Sequence, residues 1–183
     1  RGLEGNGTPH SRVEAAAECH VRAIVALHPQ GPLNLAGHSF GGWVAHAMAV
    51  RLQAQGREVR SLTLIDSESP GGNSVCGRPY TAGAALERLI ESLQLASGRS
   101  LDIDRQAFVA LDDEQQLERL HQAMVRVGLM PARSSARALH GIARTFSSAL
   151  RTPYPAQAGY SGPASLVLVA DATLDAAGNQ REQ

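Results

Sequence analysis

The fold is decided by the stretch Leu33-Asn34-Leu35-Ala36-Gly37-His38-Ser39-Phe40-Gly41-Gly42. Its first four residues form a short, largely apolar segment bounded by turn residues, which is typical of a buried parallel strand. Residues 43–52 then carry apolar side chains at helical spacing, and Gln55-Gly56 supplies a glycine where that helix ends. The next segment, Val59–Ile65, is rich in Val, Leu and Ile and predicts a second strand. Residues 33–65 therefore predict a β-α-β unit with two parallel strands.

Residues 37–41 follow the pattern Gly-x-Ser-x-Gly between this strand and this helix, a context typical of a nucleophile elbow. On such a sharp, strained turn the hydroxyl of Ser39 is exposed at the carboxyl edge of the sheet. We expect that side chains at residues 37 and 41 would collide with the turn, so that Gly37 and Gly41 must lack Cβ atoms. Ser39 is the candidate nucleophile, and the N–H of Phe40, at the start of the helix, is the candidate oxyanion donor.

Helical patterns flank this unit on both sides. A helix is predicted from about Arg12 to His28, opened by a capping-box pattern at residues 11–14. Beyond the second strand, three amphipathic stripes follow one another between residues 86 and 146, and a further strand is predicted at residues 165–170. Helices inserted between two strands predict a helical lid, to which we assign residues 72–155.

The composition excludes several classes of function. The 183 residues carry 17 basic and 17 acidic side chains, and this zero net charge gives no field that attracts a nucleic acid or an anionic membrane. No apolar run reaches the roughly 18 residues of a membrane span, and the first residues are too polar for a signal peptide. No metal-ligand spacing, phosphate loop or dinucleotide motif is present in the sequence. We expect a cytoplasmic protein with no metal and no nucleic-acid or membrane partner.

Residues 31–42, the strand Leu62-Thr63-Leu64-Ile65-Asp66 and the segment 86–146 together resemble the thioesterase domains of polyketide synthases and nonribosomal peptide synthetases. The resemblance covers nearly the whole chain and implies an α/β-hydrolase fold, in part, with a parallel sheet, a nucleophile elbow and an inserted helical lid. It implies release of a polyketide or peptidyl chain from a carrier-protein thioester, by hydrolysis or cyclisation through an acyl-serine intermediate. It also implies an acyl or peptidyl carrier protein as partner, whose phosphopantetheine arm presents the substrate, and no cofactor of the domain's own.

The acid of the catalytic triad has two candidates. The resemblance places it directly after the strand that follows the nucleophile, where Asp66 stands. Most other α/β-hydrolases carry the acid after a later strand, and Asp171 fits that plan. Either choice preserves the order serine, aspartate, histidine, and we favour Asp66.

The triad histidine is expected beyond Asp171, and the sequence has no histidine there. The resemblance also implies strands and an oxyanion loop ahead of residue 1. We therefore expect that residues 1–183 are a single partial thioesterase domain lacking both ends, inactive by itself, with its histidine outside this sequence. Two other functions remain open, namely another esterase or editing thioesterase with the same elbow, and a non-catalytic hydrolase-like binding module.

Overall fold

The computed structural model describes Leu3 and residues 7–68, 79–156 and 158–168. Its chain divides into two units, each with a core of its own. The sheet unit comprises His10–Gly77 and Thr152–Gln183, and the helical unit comprises Arg1–Pro9 and Arg78–Arg151. None of the helices in the described ranges is both long and apolar enough to cross a membrane.

The sheet unit is built on a parallel three-stranded sheet in the order β1-β2-β3. Strand β1 pairs with β2 in a register that places His38 beside Ile65, and β2 pairs with β3 so that Ile65 lies beside Val167. The predicted β-α-β unit is confirmed, and with it the α/β fold class. The elements of this unit, in chain order, are α1 (Val13–Leu27), β1 (Leu33–His38), α2 (Phe40–Ala54), β2 (Val59–Ile65) and β3 (Ala164–Val167).

Helix α2 carries most of the core of the sheet unit. It buries side chains around much of its circumference, among them Trp43 at 4% exposure and Leu52 at 0%. They pack with Leu35 of β1, Leu62 of β2 and Val13 of α1. Fully burying one such apolar side chain contributes roughly 1.5–3 kcal/mol. The core therefore fixes α2, and with it the turn that precedes α2, against the sheet.

One arginine joins the end of α1 to the start of β1. The guanidinium of Arg57 donates hydrogen bonds to the carbonyl oxygens of His28 (2.7 Å), Pro29 (2.5 Å) and Gly31 (2.6 Å). Carbonyls at a helix C-terminus lack intrahelical partners, and a cation there also opposes the negative end of the helix dipole. Arg57 therefore fixes the α1–β1 connection.

The capping box predicted for α1 is wrong. The N-cap is Arg12, in extended backbone (φ −144°, ψ 136°) and without a side-chain cap bond. The helix thus begins one residue later than a cap at Ser11 requires, and Glu14 lies 3.6 Å from the Arg12 guanidinium in an exposed ion pair. Strand β3 begins one residue before its predicted start, and residues 169–170 of the prediction lie outside the described ranges.

The helical unit contains a short helix that the sequence did not predict. Helix α4 spans five residues, too few to show a periodic stripe, and its start is marked by Asp104, whose carboxylate accepts from the N–H groups of Gln106 and Ala107. Asp112 caps the following helix in a capping box with Gln115. The helices of this unit are α3 (Ala82–Ser97), α4 (Arg105–Val109), α5 (Asp113–Arg126) and α6 (Arg137–Arg151).

The core of the helical unit is assembled from the amphipathic stripes seen in the sequence. Phe108 (2% exposed) and Met124 (6%) are part of this core, and Met130 and Phe146 pack against it while partly buried. These side chains therefore hold the helices to one another. The assignment of residues 72–155 as a lid stays a prediction.

Candidate active site

Ser39 lies on a strained turn between β1 and α2. Its backbone has φ 52° and ψ −126°, and it is the N-cap residue of α2. A residue other than glycine held at such angles costs on the order of 1–3 kcal/mol, which the surrounding structure must offset. Two backbone hydrogen bonds do so: the N–H of Ser39 donates to the Ile65 carbonyl at 2.8 Å, and its carbonyl accepts from the Gly42 N–H at 2.9 Å. The residue is exposed, as expected for a nucleophile on an elbow.

The glycines of the elbow differ in what they permit. An ideal Cβ at Gly37 would lie 2.1 Å from the carbonyl oxygen of Gly41, so residue 37 must lack a side chain, as predicted. The collision predicted at Gly41 is wrong, because a Cβ there meets no described heavy atom within 4 Å beyond its own helical turn. The second restricted position is Gly42, where a Cβ would lie 1.9 Å from the Oγ of Ser67.

Asp66 follows β2 as Ser39 follows β1. The pairing of His38 with Ile65 brings the two residues next to each other at the carboxyl edge of the sheet. Asp66 also has a left-handed φ, 48°, and its N–H donates to the Val167 carbonyl of β3 at 2.7 Å. Its side chain is exposed at this edge. The backbone therefore brings together Ser39 and the favoured acid, while Asp171 lies outside the described residues.

The sequence analysis did not predict two contacts at this edge. Ser67, 8% exposed, donates its hydroxyl to the Ser39 carbonyl at 3.0 Å, with the Ile65 carbonyl 3.2 Å away. The indole N–H of Trp43 donates to the Glu68 carbonyl at 2.7 Å. A buried tryptophan usually finds an acceptor for its N–H, which is a signal available from the sequence. No sequence pattern singles out Ser67.

The N–H of Phe40 lies at the N-terminus of the helix that follows Ser39. Phe40 is the first residue of α2, and among the described residues its N–H has no backbone acceptor. It thus contributes to the positive end of the dipole of a 15-residue helix. The Phe40 ring packs against Trp43, with centroids 6.0 Å apart, which ties the first turn of α2 to the core.

Two histidine rings have hydrogen-bonded partners among the described residues. In the sheet unit, Nδ1 of His46 lies 2.8 Å from the hydroxyl of Tyr154, and in the helical unit Nε2 of His121 lies 2.8 Å from Ser134 Oγ. Within the described ranges, neither the Ser39 hydroxyl nor the Asp66 carboxylate is hydrogen-bonded to a histidine. The residues that the structure describes contain no cluster of three or more His, Cys, Asp or Glu side chains that could hold a metal ion.

Burial perturbs the titration of the His46–Tyr154 pair. It lowers the pKa of His46, and burial together with the nearby Glu14 carboxylate raises the pKa of Tyr154 to about 12. Both groups therefore favour the neutral form at neutral pH. The pair belongs to the packing of α2 and not to the exposed edge where Ser39 lies.

Comparison with known proteins gives one family match and a set of partial relatives. The family model for thioesterase domains matches residues 1–177. Polyketide synthase PksR of Bacillus subtilis is 34% identical over 67 residues, which are 37% of this chain and 3% of that protein. Malpibaldin synthetase of Mortierella alpina is 40% identical over 67 residues, 37% of this chain and 1% of the synthetase. The chain thus spans a few per cent at most of the length of these relatives.

Solved structures agree on the fold. A four-domain nonribosomal peptide synthetase bound to AMP and glycine matches 95% of this chain with a TM-score of 0.81 at 23% identity, over 13% of its own chain. The thioesterase RedJ, from the prodiginine pathway of Streptomyces coelicolor, matches 92% of this chain with a TM-score of 0.53 at 18% identity, over 62% of its own. At these identities the likeness shows the fold alone.

Proposed function

This chain belongs to the thioesterase domain family, and on that premise we propose that it releases an acyl or peptidyl chain from a carrier-protein thioester through an ester on Ser39. One observation carries the proposal. Ser39 is held exposed, at φ 52°, where β1 ends, directly beside the residue that follows β2. Strain of this kind, held in place by surrounding contacts, is characteristic of functional sites.

In the first step, Ser39 Oγ attacks the thioester carbonyl. The C–S bond breaks, the carrier's thiol leaves with a proton, and the acyl group remains as an ester on Ser39. Water or a nucleophile of the chain itself then attacks that ester and restores the serine hydroxyl. The Phe40 N–H and the N-terminus of α2 stabilise the oxyanion in both steps.

Asp66 has the role of orienting a histidine base and stabilising the imidazolium that forms as Ser39 loses its proton. Its position beside Ser39 at the sheet edge supports this role. The histidine base itself stays a prediction, and so does the inactivity of residues 1–183 alone.

The partner we propose is an acyl or peptidyl carrier protein, as expected for relatives that are polyketide and peptide synthetases. The phosphopantetheine arm would bring the thioester, so that the domain needs no cofactor of its own. We also propose that the inserted helical unit acts as a lid and that the protein works in the cytoplasm.

The experiment is covalent labelling of the protein expressed from its complete coding sequence. A fluorophosphonate probe should add one adduct to the wild type, measured by intact mass, and none to Ser39→Ala. Ser11→Ala, an exposed serine ahead of α1, is the matched control and should label as the wild type does. Labelling that persists in Ser39→Ala, or its absence from the folded wild type, would contradict the proposal.

A further inference from the structure

We propose that Ser67 is a positioning residue, which together with Trp43 holds Asp66 and Ser39 in their relative orientation. This inference rests on the function proposed above. It concerns Ser67 and Trp43, neither of which takes part in the proposed reaction itself.

Ser67 contacts the elbow from the side of β2. Its hydroxyl donates to the carbonyl of Ser39 at 3.0 Å, and the same carbonyl accepts from the Gly42 N–H at 2.9 Å. The peptide group that follows the nucleophile is therefore held by two donors from different parts of the chain. At 8% exposure, Ser67 is shielded from the water that would otherwise compete for its hydroxyl.

Gly42 makes this approach possible. A Cβ at residue 42 would lie 1.9 Å from the Oγ of Ser67 and 2.7 Å from its Cβ. Real atoms do not approach so closely, so the side chain of Ser67 fills the space that a side chain at residue 42 would need. The second glycine after the nucleophile thus has a specific use, which is to admit Ser67.

Trp43 holds the next residue. Its indole N–H donates to the Glu68 carbonyl at 2.7 Å, and the indole is fixed in the core at 4% exposure. Three residues that flank Asp66 are thereby tied to the elbow or to α2. The Ile65 carbonyl accepts the Ser39 N–H, Ser67 donates to the Ser39 carbonyl, and Glu68 accepts from Trp43.

Asp66 lies inside this set of contacts at a left-handed φ of 48°. A residue held there relaxes when its flanking contacts are removed. Loss of the Ser67 hydroxyl should therefore let both Asp66 and the Ser39 peptide shift, which misaligns the acid and the nucleophile. Misplacement by about 1 Å lowers a catalytic rate by up to about 10²-fold.

The test compares Ser67→Ala with Ser61→Ala in the full-length protein. Ser61 is the matched control. Its hydroxyl joins β2 to β1 by donating to Asn34 Oδ1 at 2.9 Å, but it lies toward the opposite end of the strands from Ser39. The substrate is an octanoyl thioester of N-acetylcysteamine. We expect Ser67→Ala to lower kcat by about 10- to 10²-fold with KM within about twofold, and Ser61→Ala to leave both nearly unchanged.

A double-mutant cycle with Asp66→Asn separates positioning from a general loss of stability. If Ser67 acts through Asp66, adding Ser67→Ala to Asp66→Asn should lower kcat by less than about threefold further. A full, additive loss in that background would overturn the proposal, as would a Ser67→Ala kcat equal to that of Ser61→Ala. An effect confined to KM would also overturn it.

If Ser67→Ala fails to fold, Ser67→Cys takes its place. Its thiol keeps a weak donor, and it should show a smaller loss in kcat with the same coupling to Asp66→Asn. A wild-type kcat in a folded Ser67→Cys protein would overturn the inference. Activity that survives Ser39→Ala would instead contradict the proposed function, so the two failures are distinguishable.

Discussion

A Cβ added to Gly37 would lie 2.1 Å from the carbonyl oxygen of Gly41, whereas a Cβ added to Gly41 meets no described heavy atom within 4 Å beyond its own helical turn. We expect Gly37→Ala to lower the free energy of unfolding by about 2–3 kcal/mol, because a backbone oxygen has no free rotamer by which to move aside. Gly41→Ala should raise it by up to about 1 kcal/mol through helix propensity. Urea unfolding of both variants beside the wild type measures the difference, and equal losses would contradict it.

The two candidate acids should differ in their effect on catalysis. In the full-length protein, we expect Asp66→Asn to lower kcat on the order of 10³–10⁴-fold, because loss of the acid leaves the histidine in the wrong tautomer. Asp171→Asn should be nearly neutral. The measurement is kcat for steady-state hydrolysis of an acyl thioester by the two variants. Circular dichroism confirms that both variants fold. A larger loss at Asp171 would mean that the acid follows the later strand.

Much of the sheet unit could be predicted because its signals are local. The boundaries of β2 match the prediction, since a short segment rich in Val, Leu and Ile, with no Gly or Pro inside it, favours a strand. The sharp, strained turn at Ser39 was predicted from the glycine pattern around it, and the structure adds its positive φ of 52°.

Contacts that join distant residues were not predictable in the same way. The contact between Ser67 and Gly42 depends on how closely the end of β2 approaches α2, and neither residue carries a pattern that reports this distance. Gly41 shows the converse, because its place in the motif suggested a collision that the backbone does not produce. Motifs therefore identify the turn, and three-dimensional packing decides which glycine it requires.

Removing the Arg57 guanidinium should destabilise the sheet unit. Arg57→Gln loses hydrogen bonds to three carbonyls, and we expect the free energy of unfolding to fall by about 1–2 kcal/mol, a modest value because the bonds are solvent-accessible. Arg22→Gln, an exposed arginine of α1, is the matched control and should change it by less than about 0.5 kcal/mol. Urea titration provides the measurement, and similar values for the two variants would count against a role for Arg57.

The stability of the sheet unit should depend on pH through His46. Burial lowers the pKa of His46 in the folded state, so the unfolded chain binds its proton more readily. The stabilisation is therefore complete above the unfolded value of 6.5 and is lost as the pH falls through the lower folded pKa. Urea unfolding between pH 8 and pH 5 should show a steeper loss for the wild type than for His46→Gln. Parallel curves for the two proteins would show that His46 does not contribute to the pH dependence of stability.

Asp112 should stabilise the start of α5. Its carboxylate accepts from the Gln115 N–H at 2.8 Å, and Gln115 returns the contact to the Asp112 N–H at 3.2 Å. Asp112→Ala should lower the stability of α5 by about 1 kcal/mol. The loss is measured as faster amide hydrogen exchange over residues 113–126. Asp113→Ala, which removes a neighbouring carboxylate that caps nothing, should have the smaller effect. A larger effect at Asp113 would show that the charge, and not the cap, matters.

The two ends of the segment that carries helices α3 to α6 lie next to each other. Arg151 in the last turn of α6 donates to the carbonyl of Tyr80, ahead of α3, at 2.9 Å. The pairing of Leu62 with Ala164 spans about four times the sequence separation of Leu33 with Val59, which adds about 1.2 kcal/mol of loop-closure entropy for an unstructured connection. A segment that folds first and brings its own ends together removes most of that penalty. We therefore expect β1-α2-β2 and the helical unit to fold independently, with β3 pairing last. Helical segments of other lengths should be interchangeable here wherever their ends meet as Tyr80 and Arg151 do.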